Sequence, residues 1–157
     1  MKATMSLLFV FLFLSSYAQE KYYTKSGTIT FESSVPSFEQ VRATNQKVTA
    51  ILKDDGTIAS LLLTKAFRFK IALMEEHFNE NYMESNNFPK ATFSGKISNF
   101  EISKLDAEFE TFNIKGKLTI RSITKDISVN SKIKKLADSI TITSNFEISP
   151  EDFGIEI

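Results

Sequence analysis

The sequence predicts an all-β protein, with long antiparallel strands closed into a barrel or stacked as a sandwich and one amphipathic helix in a connection. Three observations predict this. Alternation of apolar and polar residues is sustained through the C-terminal half, as in Phe112, Ile114, Gly116, Leu118 and Ile120 against Asn113, Lys115, Lys117 and Thr119, which is the period of a strand with one buried face. The period changes convincingly only once, beyond Ile71, where Met74, Phe78 and Tyr82 recur every four residues and form one apolar helical stripe of about three turns. Cysteine is absent, so disulfides and thiolate chemistry are excluded and the fold stands on packing alone.

A chain of 157 residues with 42% hydrophobic and 24% charged residues suits one domain with one core. The formal net charge is zero, so nothing marks a nucleic-acid surface. Lys2, the apolar run Leu7 to Leu14 and the small-x-small triplet Ser16-Tyr17-Ala18 follow the order of a signal peptide cut after Ala18. Residues 19–157 are then the exported domain, with 18 basic against 19 acidic residues and a net charge of −1. No second apolar run approaches membrane-spanning length.

Ile29 and Phe31 alternate with Thr28, Thr30 and Glu32 as a first strand, and Ser34-Val35-Pro36-Ser37 turns the chain. Val41, Ala43 and Asn45 share one face of the next strand, which leads into Asp54-Asp55-Gly56. That Asp-Gly pair predicts a tight hairpin with both central residues at positive φ. Thr57 to Lys65 returns as the partner strand, where Leu61-Leu62-Leu63 breaks the alternation and implies either apolar character on both faces or an outer side covered by another element. The helix ends at Asn86-Asn87 and Pro89. Beyond it come Ala91, Phe93, Gly95 and Ile97 on one face, the long run from Phe112, then Ile127, Val129, Ser131 and Ile133 after a turn at Thr124-Lys125. Ile140, Ile142, Ser144, Phe146 and Ile148 follow a turn at Ala137-Asp138.

The inward parity mixes bulky residues with Ala43, Ala50, Ala91, Gly95, Gly116, Ser131 and Ser144. A barrel of about eight strands has room for its own side chains or for one ligand. Small inward residues favour a cavity; the alternative is that they bend strands or complement large neighbours. Of 15 phenylalanines, 12 lie beyond the signal peptide, and tryptophan is absent, a composition suited to a hydrocarbon-binding wall.

Catalysis has no visible owner. His77 is the sole histidine, no Gly-x-Ser-x-Gly elbow or glycine-rich phosphate loop is present, and Glu76 and Glu80 flank His77 as helix-surface charge. No enzyme, cofactor or metal site is expected.

Five segments resemble the YceI-like family: FESSVPSFEQVRA at 31–43, EEHFNENYM at 75–83, FPKATFSGKI at 88–97, GKLTIRSITKDI at 116–127 and PEDFGI at 150–155. The resemblance implies a lipocalin-like antiparallel barrel of about eight strands with an amphipathic helix, exported to the periplasm or secreted, that binds and sequesters or transports a polyisoprenoid-type lipid. It implies a ligand lined by Phe67, Phe69, Met74, Phe78, Tyr82, Phe93, Ile97, Phe112, Leu118, Ile120, Ile142 and Phe146, with an entrance where the helix meets the strand from Phe93 to Ile97. The family usually has glycine where this chain has Ser122, which predicts an altered turn. The family also continues past its Asp-Phe-Gly-Ile with a strand that closes the barrel, whereas this chain stops at Ile157. A C-terminally truncated domain is therefore expected, the alternative being an open seam with exposed strand edges. The competing functions are a ligand-free interaction barrel docking a partner or a second copy through Leu61 or Leu63, and a lipid- or amide-processing enzyme using His77.

Overall fold

The structure, a computed structural model, describes residues 19–33 and 40–156. The signal peptide read at 1–18 and the turn read at 34–37 lie outside the described residues. The expected all-β fold is present: an eight-stranded antiparallel sheet curls into a nearly closed barrel with one short helix. The strands are β1 (Lys21–Ser33), β2 (Val41–Lys53), β3 (Thr57–Leu63), β4 (Arg68–Phe69), β5 (Lys90–Ile97), β6 (Glu110–Ile120), β7 (Ile123–Leu136) and β8 (Ser139–Ser144). They pair in the order β1-β2-β3-β5-β6-β7-β8, and β4 pairs with β2. Strands β1 and β8 are the ends of this order, and the seam of the barrel lies between them.

Register carries the alternation across the sheet. Phe93 lies opposite Leu118, Gly95 opposite Gly116 and Ile97 opposite Ile114, while Phe112 faces Ser131 and Ile114 faces Val129. One face therefore collects the apolar parity of every strand. The small residues on it are accounted for by neighbours. A Cβ on Gly95 would sit 2.8 Å from the Phe93 ring and closer still to the Lys115 carbonyl oxygen, and one on Gly116 would sit 2.6 Å from the ring and closer still to the Ser94 carbonyl oxygen, so the glycine pair lets the two backbones approach as well as making room for the ring. Ser131 and Ser144 hydrogen-bond to each other.

Strand β2 changes partners midway, pairing with β3 from Thr49 to Leu52 and with β4 at Ala43 and Thr44. Asn45, fully buried, spans the gap: its Nδ2 donates to the Leu63 carbonyl at 3.0 Å and its Oδ1 accepts from the Lys47 N–H at 2.9 Å. The side-chain amide replaces the ladder bonds that the irregular backbone cannot make.

Two turns differ from expectation. At Asp54-Asp55-Gly56 only Gly56 has positive φ, +83°, and Asp55 instead accepts a hydrogen bond from the Thr57 N–H at 2.8 Å. The β6–β7 turn is at Arg121-Ser122, with φ of +48° and +62°; Thr124 and Lys125 are already in β7. The Ala137-Asp138 turn is where the sequence puts it, with Ala137 at φ +52°.

The helix begins as α1 (Ala72–His77) and continues as a π-helical turn, Phe78–Tyr82, closed by Met83 N–H donating to the Phe78 carbonyl at 2.8 Å. Spacing by four fits this wider register as well as it fits an α-helix. Glu75 ties it to β4, accepting from Arg68 and from the Phe69 N–H, each at 3.2 Å. Among the described residues no helix is long and apolar enough to cross a membrane.

Candidate functional site

The inward side chains sort into three groups. At one end of the barrel Leu52, Ile97, Leu105, Ile114 and Ile133 form a buried cluster, with Tyr22, Ile58, Phe93, Phe112, Val129, Ile140 and Ile142 packed against it. At the helix end Ala43, Val48, Leu62 and Phe67 form a second cluster with Phe31, Phe69, Phe78 and Ala91. Phe78 is locked there by rings, stacked on Phe31 at 5.4 Å and meeting Phe67 at 5.6 Å and Phe69 at 5.0 Å. Such aromatic contacts add to the area they bury, and they plug the helix end.

The third group belongs to neither cluster. Leu118, Ile120 and Ile127 share the inward parity of the β6–β7 hairpin and are only half-buried. Ile29 on β1 is 38% exposed and Ile123 on β7 is 39% exposed. The strand expected to run through Ile148 ends at Ser144, and Phe146 and Ile148 lie on the irregular chain beyond it, 47% and 43% exposed. These apolar side chains are left partly open to solvent. Strand β8 pairs only with Ser131 to Leu136 of β7, so the half of β7 from Ile123 to Asn130 has β6 on one side and, among the described residues, no strand on the other.

The residues expected to line a ligand are accordingly dispersed. Phe67, Phe69 and Phe78 form the helix-end plug, and Phe93, Ile97, Phe112 and Ile142 belong to the opposite cluster. Leu118 and Ile120 are half-buried on β6, and Phe146 is exposed on the chain beyond β8. Tyr82 is 37% exposed on the π turn. Met74 lines an outer depression of about 270 Å³ with Gln40, Arg42, Thr44, Lys70 and Ile71. Ile29, Ile123, Ile127 and Ile148 were absent from the expected set. Parity alone could have included them, because it marks the face but not how completely that face is filled.

Polar groups gather at the β6–β7 turn. Arg121 donates through one terminal nitrogen to the Glu84 carboxylate and through the other to the Gly154 carbonyl, and its guanidinium carbon lies 5.4 Å from the centroid of the Phe88 ring. Gly154 follows a 3-10 turn, Pro150–Phe153, anchored by Phe153 at 2% exposure. The Ser149 hydroxyl donates to Glu151 at 2.6 Å and holds that carboxyl below its ordinary range. His77 is exposed at the end of α1. A second depression, about 380 Å³, is polar and lies over Asn79, Glu80, Glu84, Asn86 and Asn87.

The YceI-like domain matches residues 21–157. The chain belongs to the YceI-like family. Among solved structures, this YceI-like chain is similar to a polyisoprenoid-binding domain from Saccharophagus degradans implicated in plant cell wall breakdown, with TM-score 0.75 and 12% identity over 88% of this chain and 83% of that one. It is also similar to BcnA of Burkholderia cenocepacia, with TM-score 0.65 and 16% identity over 86% and 81% of the two chains. A YceI protein of Campylobacter jejuni gives TM-score 0.60 and 17% identity over 80% and 77%. At these identities the likeness establishes a shared fold. The chain matches none of the curated proteins.

Proposed function

We propose that this YceI-like protein binds an apolar, isoprenoid-type lipid along the seam of its barrel and so sequesters or carries it outside the cytoplasm. The half-open inward wall of Leu118, Ile120, Ile127, Ile29 and Ile123 is the observation that carries this. A well-filled barrel would bury these positions, and hydrocarbon laid against them gains about 0.8 kcal/mol per methylene removed from water. Support also comes from the family and from the polyisoprenoid ligand class of the Saccharophagus domain. Residues 2–18, with their charge, apolar run and cleavage triplet, support export to the periplasm or beyond. The role is binding, with no cofactor and no reaction assigned.

Mass spectrometry of protein purified without detergent tests it, together with titration of a hydrophobic fluorophore. Bound lipid, displaced by the fluorophore, is expected. Ile127→Asp should abolish binding while the melting temperature holds, because the site is half-exposed; a variant that still bound lipid normally would remove the seam from the account.

A second use of the barrel has one observation in its favour. Tyr23 lies opposite Ile51 in the β1–β2 register on the outer face, and the two are 75% and 42% exposed, with Leu63 at 52% on the outer face of β3. This apolar surface fits a protein partner or a second copy, and size-exclusion chromatography of Tyr23→Lys against the parent would detect it.

A further inference from the structure

Lys125 interrupts the apolar side of β7. Its register partner is Leu118, and its neighbours two residues away on the same face are Ile123 and Ile127. The adjacent side chains point outward and are satisfied there: Thr124 hydrogen-bonds Thr119 at 2.8 Å, and Asp126 pairs with Lys117 at 2.8 Å. Lys125 itself is exposed and makes no ion pair among the described residues. The other ionisable residues with inward parity, Glu110 and Lys135, are at the far end, where Lys135 lies over the Tyr22 ring at 5.9 Å. Glu147, between Phe146 and Ile148, forms no ion pair among the described residues, and Arg121 is engaged by Glu84 and Gly154.

We infer that Lys125 recognises the head of the bound lipid, so that the proposed site prefers an amphiphile bearing an anionic oxygen head, phosphate or carboxylate, over a neutral one. This rests on the lipid-binding function proposed above. Without lipid the exposed ammonium is hydrated. A hydrocarbon chain laid along Leu118, Ile123 and Ile127 expels that water, and a cation left without a partner in the resulting apolar surroundings opposes binding. An anionic head removes the penalty and adds a charge-assisted hydrogen bond.

Displacement of a hydrophobic fluorophore by geranylgeranyl phosphate and by geranylgeraniol tests this on the full chain, with inorganic phosphate as a third competitor. The phosphate ester should bind about tenfold more tightly than the alcohol, which is the scale of one charge-assisted hydrogen bond, and the gap should narrow as salt is raised. Lys125→Gln should lower the ester to the affinity of the alcohol, and Lys125→Arg should keep the gap. Equal affinities in the parent, or a gap that survives Lys125→Gln, would overturn the assignment while leaving lipid binding intact. Displacement by inorganic phosphate alone would point to a free-anion site and overturn it too. Binding of neither lipid would remove the lipid function and this inference with it.

Discussion

Arg121, at the β6–β7 turn, reaches the Glu84 carboxylate just past the helix and holds the Gly154 carbonyl with its other terminal nitrogen. Three segments distant in sequence are thus tied at one mostly buried guanidinium, whose side chain is 15% exposed. Removing one partner of such a pair leaves the other charge without its bonds.

Arg121→Ala should therefore cost about 2–3 kcal/mol in urea unfolding. Glu84→Gln should cost less, because Glu84 is more exposed. A double-mutant cycle should return a coupling of about 1 kcal/mol or more; additive effects would mean that the contact contributes nothing.

Phe78→Ala removes the ring shared by Phe31, Phe67 and Phe69. The expected loss is about 2–4 kcal/mol, from cavity formation and broken aromatic contacts. Lipid affinity measured well below the lowered melting temperature should change little, since Phe78 packs in the helix-end cluster and the proposed lipid site lies on the seam.

Ser122 holds φ +62°, a conformation that costs an L residue energy and glycine almost none. Ser122→Gly should raise stability by about 0.5–1 kcal/mol in the same urea assay. No gain would mean that the hydroxyl, or the entropy of the unfolded glycine, offsets the strain.

Asp55 titrates below its ordinary value of 3.8, chiefly because its carboxylate accepts the Thr57 N–H, with Lys96 at 3.6 Å adding attraction. The folded state thus prefers the ionised form. Its contribution to the β2–β3 hairpin is fully present above the unfolded value and is lost as pH falls through the lower folded one. Carboxyl NMR titration should show the depressed midpoint, and Asp55→Asn should flatten that part of the acid-stability profile.

Most barrel strands were legible because they have one wet and one dry face, and long runs such as Phe112 to Ile120 leave no competing period; the two-residue β4 is too short to leave such a pattern, and Leu61-Leu62-Leu63 interrupts it in β3. Asp54-Asp55-Gly56 announced its turn through glycine. The β6–β7 turn did not, since Arg121 and Ser122 carry no preference for positive φ, and the turn was read three residues late. The π register was hidden because Met74, Phe78 and Tyr82 fit both helical forms. Contacts made at long range, Asn45 to Leu63 and Arg121 to Glu84, leave no local pattern. The site divides in the same way: Ile97 and Leu118 have identical parity, but one is 1% exposed and the other half-buried. Which inward residues are already covered depends on the strand order and on where β8 stops.

Phe93 would be the floor of the proposed lipid site. Its ring lies across Gly95 and Gly116 and belongs to the packed cluster below them, while Leu118 and Ile120 stand half-open above. From Gly116 to Ile120 the strand rises about 13 Å at the usual spacing per residue. A hydrocarbon chain bound along β6 as proposed would meet the ring at that depth. In the proposed binding mode the tip of a long chain would be sheltered and the remainder would protrude from the wall, so cargo could be handed over by that end without the barrel having to open.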